Sequence, residues 1–367
     1  MKVLFLTNVP SPYRVEFFNE LGKHCELTVL FEKRISDERD DSWMDYEFRS
    51  FNGVFLKGKS VDTDKAFCLE VLNYVKDKTF DRIICADISS PTGMLAIQYM
   101  KMHKIRYYIE ADGGMAKSGE GIKKAIKKHF IGGAKGYFST SRLCDDYFAA
   151  YGAKPASIHR YPFTSLREDD LFQTVATRAE KEALRKQLGI EEKCVVLSVG
   201  RFSYLNGYGK GYDVLLKAAA QMPSSIGWYI VGGQPTEEFV KMKSDMHLSN
   251  VHFVDFKSKE ALRGYYRASD IFTLMTVGDV WGLVINEAMA CGLPVITTNR
   301  CVAGVELVSN EVNGYVIDVG DCDGLVRCVM QVFDGDMERM GKNALATIAP
   351  YTIENLAMVH MKILEKH

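Results

Sequence analysis

Short apolar runs alternate with helical patterns along nearly the whole chain, and this rhythm narrows the possible folds more than any other feature of the sequence. Strand-like runs fall at residues 3–7, 26–30, 82–86, 105–109, 136–139 and 157–161. They recur at 195–199, 228–231, 252–254, 271–274, 294–297 and 315–317. Apolar residues at helical spacing fill many of the intervals: 14–23, 65–76 and 92–103 early, then 212–221, 237–247, 259–268, 283–291 and 324–333. Strands that are apolar throughout belong to parallel sheets covered by helices on both faces. The predicted class is α/β, doubly wound.

The rhythm breaks between about residues 163 and 192. Residues 163–172 are polar and without period, and a charged helix over 178–188 then runs to Gly189, a helix-ending residue. At roughly 150 residues per domain, a chain of 367 suggests two. The reading is residues 1–170 and 171–350 as two Rossmann-like doubly wound domains with an interdomain cleft. Residues 351–367 hold a helical pattern over 353–365 with little room left in the second sheet, and are expected to pack back on the first domain.

Composition closes off other classes. Lys and Arg total 46 against 47 Asp and Glu, a net charge of −1, which argues against a dedicated nucleic-acid binder. No stretch approaches the roughly 18–20 apolar residues needed to cross a bilayer. The opening residues 1–7 read as a first strand, not a leader peptide. The nine cysteines are scattered without a Cys-x-x-Cys pair, so neither a disulfide frame nor a zinc site is expected, and the chain is placed in the cytoplasm.

Open parallel sheets bind ligands at the carboxyl ends of their strands, so the residues just after each strand carry the argument. Gly200-Arg201 follows the strand 195–199, and Lys210-Gly211 follows on the same Gly-rich loop before a helix. A guanidinium, an ammonium and a helix amino terminus together suit a diphosphate. The alternative is a solvated pair on a flexible loop. The run from Gly278 to Ile296 is richer still. Gly282 opens a helix at Leu283, and Gly292 with Pro294 ends it before a strand. That helix is apolar nearly all round, so Glu287 within it needs a partner or a polar ligand. Asp279 lies just before its amino terminus, itself an anion site. Two carboxylates for hydroxyls beside an amide nest for phosphate make a nucleotide-sugar site. The competing reading is a salt bridge for Glu287 and a turn role for Asp279.

This run, with Gly200-Arg201, Lys210-Gly211-Tyr212-Asp213 and Gly232-Gly233, resembles glycosyltransferase family 4 of the GT-B fold. The resemblance spans essentially the whole chain and is strongest from 195 to 317. It implies a retaining sugar transfer from a nucleotide donor, with no cofactor and no metal. It implies that Arg201 and Lys210 hold the donor diphosphate, Glu287 the ribose hydroxyls and Asp279 the transferred sugar. The backbone near Gly282 and Leu283 would add phosphate contacts, and residues 254–257 would pass near the base. Asp279 stands where the family usually has Glu, and the stretch between Arg201 and Lys210, with Tyr204, Asn206, Gly207, Tyr208 and Gly209, is longer than usual.

The first loop, Pro10-Ser11-Pro12-Tyr13-Arg14, lacks the family's frequent double glycine. Arg14 either faces the cleft or is a solvated helix-start residue. After the strand that ends at Ile109, the chain has Glu110-Ala111-Asp112-Gly113-Gly114 where relatives often have a histidine. Glu110 and Asp112 are thus candidates, with Arg14, for acceptor or sugar contact; the alternative is that the acids cap the next segment. Further on, Ile122, Ala125, Ile126 and Phe130 recur at helical spacing, flanked by Lys123, Lys124, Lys127 and Lys128. A basic amphipathic helix suits an anionic membrane surface, against the alternative of an apolar face packed on its own domain.

The sequence therefore reads as a cytoplasmic, retaining GT-B glycosyltransferase, peripheral on the inner face of the plasma membrane. Its partners are a nucleotide-sugar donor, UDP first, and a glycan or lipid-linked acceptor of cell-surface polysaccharide biosynthesis, with no nucleic acid. Two alternatives stay open: a nucleotide-sugar epimerase of related fold, and a non-catalytic subunit that binds nucleotide sugars.

Overall fold

The structure, a computed structural model, describes residues 1–35, 46–116, 121–202 and 209–366. The chain divides into two compact units, Met1–Ser165 with Tyr351–His367, and Leu166–Pro350. In chain order the first holds β1 (Lys2–Thr7), α1 (Pro12–Leu21), β2 (Glu26–Phe31), β3 (Asn52–Phe55), β4 (Lys59–Asp62), β5 (Lys65–Phe67), α2 (Val71–Val75), β6 (Arg82–Cys85), α3 (Pro91–Met102), β7 (Tyr108–Glu110), α4 (Ile122–Ile131), β8 (Gly136–Ser139), α5 (Arg142–Ala150) and β9 (Ile158–Arg160). Its main sheet is parallel in the order β3-β2-β1-β6-β7-β8-β9, with β4 and β5 a separate antiparallel hairpin. Chain order reverses between β1 and β6, so the carboxyl ends of those strands flank the binding edge.

The second unit holds α6 (Arg178–Leu188), β10 (Cys194–Val199), α7 (Tyr212–Ala219), β11 (Ile226–Val231), α8 (Glu237–Asp245), β12 (Val251–Val254), α9 (Lys259–Ala268), β13 (Ile271–Leu274), α10 (Leu283–Ala290), β14 (Val295–Thr298), α11 (Val302–Leu307), β15 (Gly314–Ile317), α12 (Cys322–Asp334) and α13 (Met337–Ile348). Its parallel sheet runs β12-β11-β10-β13-β14-β15 and reverses between β10 and β13. The central strands are buried on both faces, as at Val196, Leu197, Ile271 and Phe272, which is why they read as continuous apolar runs. On α6, a Thr177–Glu180 capping box starts the helix and Gly189, at φ +69°, stops it. Arg185 and Lys181 then anchor it by gripping the two oxygens of Asp270 at 2.7 and 2.8 Å.

The last helix, α14 (Ile353–Glu365), belongs to the first unit and packs on α1, burying Leu356, Ala357, His360, Met361 and Leu364. Arg82 Nε donates to the Leu364 carbonyl at 3.0 Å and holds its end.

Two sequence expectations shift. Residues 65–76, expected as one helix, are β5 followed by the short α2. Tertiary bonds override the helical pattern: Ala66 N donates to Glu32 Oε2 at 3.0 Å, and Thr92 Oγ1 donates to the Ala66 carbonyl at 2.7 Å. The strand expected from 105 begins at Tyr108, because Lys104 sits at φ +55° and Ile105 N still closes the end of α3 on the Met100 carbonyl at 2.9 Å.

Candidate active site

In the second unit the loop before α7 is tied from both sides. Gly211 takes φ +71°, and a β-carbon there would stand 1.9 Å from the Met275 carbonyl oxygen, so only glycine lets the loop approach β13. The Gly209 carbonyl accepts from Thr276 Oγ1 at 2.9 Å and from Val277 N at 3.1 Å. Tyr212 donates its hydroxyl to the Gly200 carbonyl at 2.6 Å, fastening the same loop to the end of β10. The Lys210 stem consequently runs beside Gly200, its Cε 3.7 Å from where a β-carbon would be, and Arg201 stands exposed one residue on. Tyr204, Asn206, Gly207 and Tyr208 lie outside the described residues.

Lys210 Nζ meets Asp279 Oδ2 at 2.7 Å. The loop carrying Asp279 is held by its main chain, Asp279 N donating to the Arg300 carbonyl at 3.0 Å. Gly282 then starts α10 at φ +101°, where a β-carbon would meet Cys301 Sγ at 2.6 Å. The first-turn amides of Leu283 and Val284 follow directly on the loop that carries Asp279, whereas Ile285 N is already bonded to the Gly282 carbonyl at 2.9 Å. Lys210 and Asp279 keep 32% and 21% of their side chains exposed. A pair so accessible is worth about 1 kcal/mol or less, so a ligand can separate it. Half-buried Glu287 has a protein partner: Tyr266 donates to its Oε2 at 3.0 Å. Burial, with Glu287 alongside, pushes the Tyr266 hydroxyl well above its ordinary range.

In the first unit the structure brings Arg14, Glu110 and Asp112 together and adds His360. Arg14 Nη1 donates to Glu110 Oε1 at 2.5 Å, and its Nη2 lies 3.6 Å from Asp112 Oδ1. His360 Nε2 lies 2.9 Å from Glu110 Oε2. Burial alone would raise the Glu110 carboxyl; Arg14 and His360 outweigh it and hold it down at about 2. Burial pushes Asp112 up, against the pull of Arg14. Arg14 and Glu110, expected at acceptor or sugar, lie inside the first unit. Both are buried, and both Glu110 oxygens are engaged inside the unit. Asp112, with a third of its side chain exposed, is the one of the three that reaches solvent. His360 escaped the sequence reading; its signal was a lone titratable residue on the apolar stripe of the last helix, between Leu356 and Leu364.

Just beyond β2, Glu32 is buried and accepts from Ser90 Oγ at 2.5 Å and Ala66 N at 3.0 Å; burial still pushes its carboxyl up to about 7.

The basic helix forms as α4, and Ile131 is its buried residue. Ile122 is 81% exposed and Ile126 44%, so these two do not pack on their own unit. Lys123, Lys127 and Lys128 are exposed beside them. Residues 117–120, just before this helix, lie outside the described residues. Among the described residues no helix is long and apolar enough to cross a membrane, and no group of three or more His, Cys, Asp or Glu is gathered as a metal site.

Two parallel-sheet α/β units of this kind define the GT-B fold. Residues 180–347, most of the second unit, match the family model of the group 1 glycosyl transferases. Among curated proteins, the lipopolysaccharide core biosynthesis glycosyltransferase LpsE of Rhizobium meliloti is 30% identical over 139 residues, 38% of this chain and 39% of that protein. The D-inositol 3-phosphate glycosyltransferase of Rhodococcus opacus is 31% identical over 194 residues, 49% of this chain and 42% of that protein. The chain thus spans about two fifths of the length of these relatives. Among solved structures, Anabaena HepE in complex with UDP and glucose superposes with a TM-score of 0.76 at 16% identity over 100% of both chains. WaaG, a glycosyltransferase involved in lipopolysaccharide biosynthesis, gives a TM-score of 0.69 at 16% identity.

Proposed function

We propose that the chain is a retaining glycosyltransferase that moves a sugar from a nucleotide donor, UDP first, to a glycan or lipid-linked acceptor of cell-surface polysaccharide synthesis. The observation that carries this reading is the accessible Lys210–Asp279 pair beside the amino terminus of α10. On donor binding, Lys210 leaves Asp279 for the diphosphate, and Asp279 turns to the hydroxyls of the transferred sugar. Arg201 and the amides at Gly282 and Leu283 add to the phosphate contacts, and Glu287, steadied by Tyr266, takes the ribose. Phe256, 76% exposed just beyond β12, offers a ring to the base. The acceptor hydroxyl attacks from the face the diphosphate leaves, its proton passing to a phosphate oxygen, while the cations and helix end carry the charge on the leaving group. The UDP and glucose bound by HepE and the activity named for LpsE support donor and pathway.

A thermal-shift series with UDP, GDP and ADP and their glucose conjugates tests the reading. A ligand at 100 times its dissociation constant stabilises by about 2.7 kcal/mol; silence from all six would contradict it. Product formation from the responding sugar nucleotide then separates transfer from epimerisation and from binding alone.

The exposed apolar and lysine faces of α4 favour one addition, peripheral binding to the anionic inner face of the plasma membrane. Each lysine near such a surface contributes about 1 kcal/mol. Sedimentation with phosphatidylserine vesicles should fall when Lys123, Lys124, Lys127 and Lys128 are all changed to Gln; equal sedimentation would remove this part of the reading.

A further inference from the structure

The glycosyltransferase reading leaves open what holds the acceptor-side group in place. At the carboxyl edge of the first sheet, three distant stretches of chain converge. Arg14 comes from α1, Glu110 and Asp112 from β7 and the loop after it, and His360 from α14. Three of the four are sealed: Arg14 is 4% exposed, and Glu110 and His360 not at all.

Each link in this chain is fixed. The two His360 nitrogens face two acceptors, the Leu356 carbonyl and Glu110 Oε2, both at 2.9 Å. Phe138 stacks on the ring with centroids 4.5 Å apart and planes 8° from parallel, so the ring cannot turn away. The Arg14 guanidinium lies 5.4 Å from the Phe5 centroid and 5.5 Å from that of Phe18. Tyr161 donates to the Ala111 carbonyl at 3.2 Å and pins the backbone between the two acids. At the open end, Asp112 takes a bond from Tyr13, while its Oδ1, near Arg14, accepts no hydrogen bond.

Burying several charges is a poor way to gain stability, because desolvation cancels much of the attraction. What the arrangement does secure is one orientation of the half-buried Asp112 carboxylate, whose Oδ1 is turned inward. We infer that His360, Glu110 and Arg14 are positioning residues that hold Asp112 as the hydrogen-bond acceptor for a hydroxyl of the acceptor sugar, an inference that rests on the glycosyltransferase reading. A fixed carboxylate at that edge suits an uncharged polyhydroxy ring and repels a phosphate or uronate in the same place.

The test is carbon NMR of the Asp112 carboxyl in the full chain, in two parts. The groups facing it are Arg14, Glu110, His360, Tyr13 and Tyr161. Its titration midpoint should fall in Glu110→Gln, where an anion is lost and Arg14 is freed to pair with it. It should rise in His360→Gln, where a positive influence is lost. Simple loosening of the fold would move both variants the same way, and that outcome, or no movement in whichever variant folds, overturns the inference. In the second part, methyl glycosides of glucose, galactose, mannose, N-acetylglucosamine and rhamnose are titrated into the parent chain. A saturable shift at Asp112 with at least one is expected, and a resonance unmoved by all five overturns the proposal. A parallel UDP titration keeps the two readings apart. If UDP binds and Asp112 stays silent, only this inference fails; if UDP does not bind, the enzyme reading fails first.

Discussion

The two units each set a cation against an acid at the carboxyl edge of a parallel sheet, and they use the pair in opposite ways. Arg14, Glu110 and His360 are closed off, ringed by Phe5, Phe17, Phe18 and Phe138, with both Glu110 oxygens occupied. Lys210 and Asp279 are a single accessible contact on loops held by main-chain bonds and two glycines. Where charges are buried, breaking the pair leaves an uncompensated ion; where they are wet, breaking it costs little and frees both partners for a ligand. The same residue types therefore make a brace in one unit and, on the proposed reading, a binding site in the other.

The largest effect should come from breaking the brace. Glu110→Ala leaves Arg14 and His360 without their acid, and equilibrium denaturation should register a loss of about 3–5 kcal/mol. An effect below about 1 kcal/mol would erase the distinction between the pairs. Next, Lys210→Ala should weaken UDP binding by about 1.5–3 kcal/mol in calorimetry, the usual loss for a charged hydrogen-bond partner. Its stability without ligand should change by about 1 kcal/mol or less. Arg201→Ala should weaken UDP comparably.

Acid titration sharpens the comparison inside the first unit. Glu110, held down at about 2, stabilises the fold above its ordinary 4.5, and that contribution is lost as pH falls from 4.5 towards 2. Glu32, raised to about 7, does the reverse: the native state holds its proton longer, so stability drops as pH rises from 4.5 through 7. Glu32→Gln should remove that alkaline loss, and Glu110→Gln the acid one, in denaturation curves across pH. The smallest effect is expected for Asp279→Asn: UDP affinity unchanged, transfer slowed, because the proposed function gives this side chain the sugar and not the diphosphate. Loss of UDP binding in that variant would contradict the division of roles.

Much of the architecture was legible because it rests on local patterns. Residues 271–274 and 136–139 are short, largely apolar runs, and both form strands over those residues. Likewise 178–188 carries its own start and stop signals, and the helix keeps to them. What stayed hidden depends on distant partners. Nothing near Lys65 announces that Glu32 and Thr92 will draw Ala66 into a strand. The sites divide the same way. Lys210, Asp279 and Gly282 stand beside strands and a helix start, where spacing alone makes them candidates. The role of Glu110 turns on His360, 250 residues away along the chain, and no periodicity connects the two.

The most direct test heats Lys210→Ala and Glu110→Ala side by side, each with and without saturating UDP. Lys210→Ala should unfold near the parent temperature without ligand and gain little when UDP is added at the concentration that saturates the parent. Glu110→Ala should start lower by roughly 6–20 °C and gain as much from UDP as the parent does. A Glu110→Ala protein that melts like the parent but ignores UDP, with Lys210→Ala unstable and fully responsive, would contradict the contrast between the two pairs.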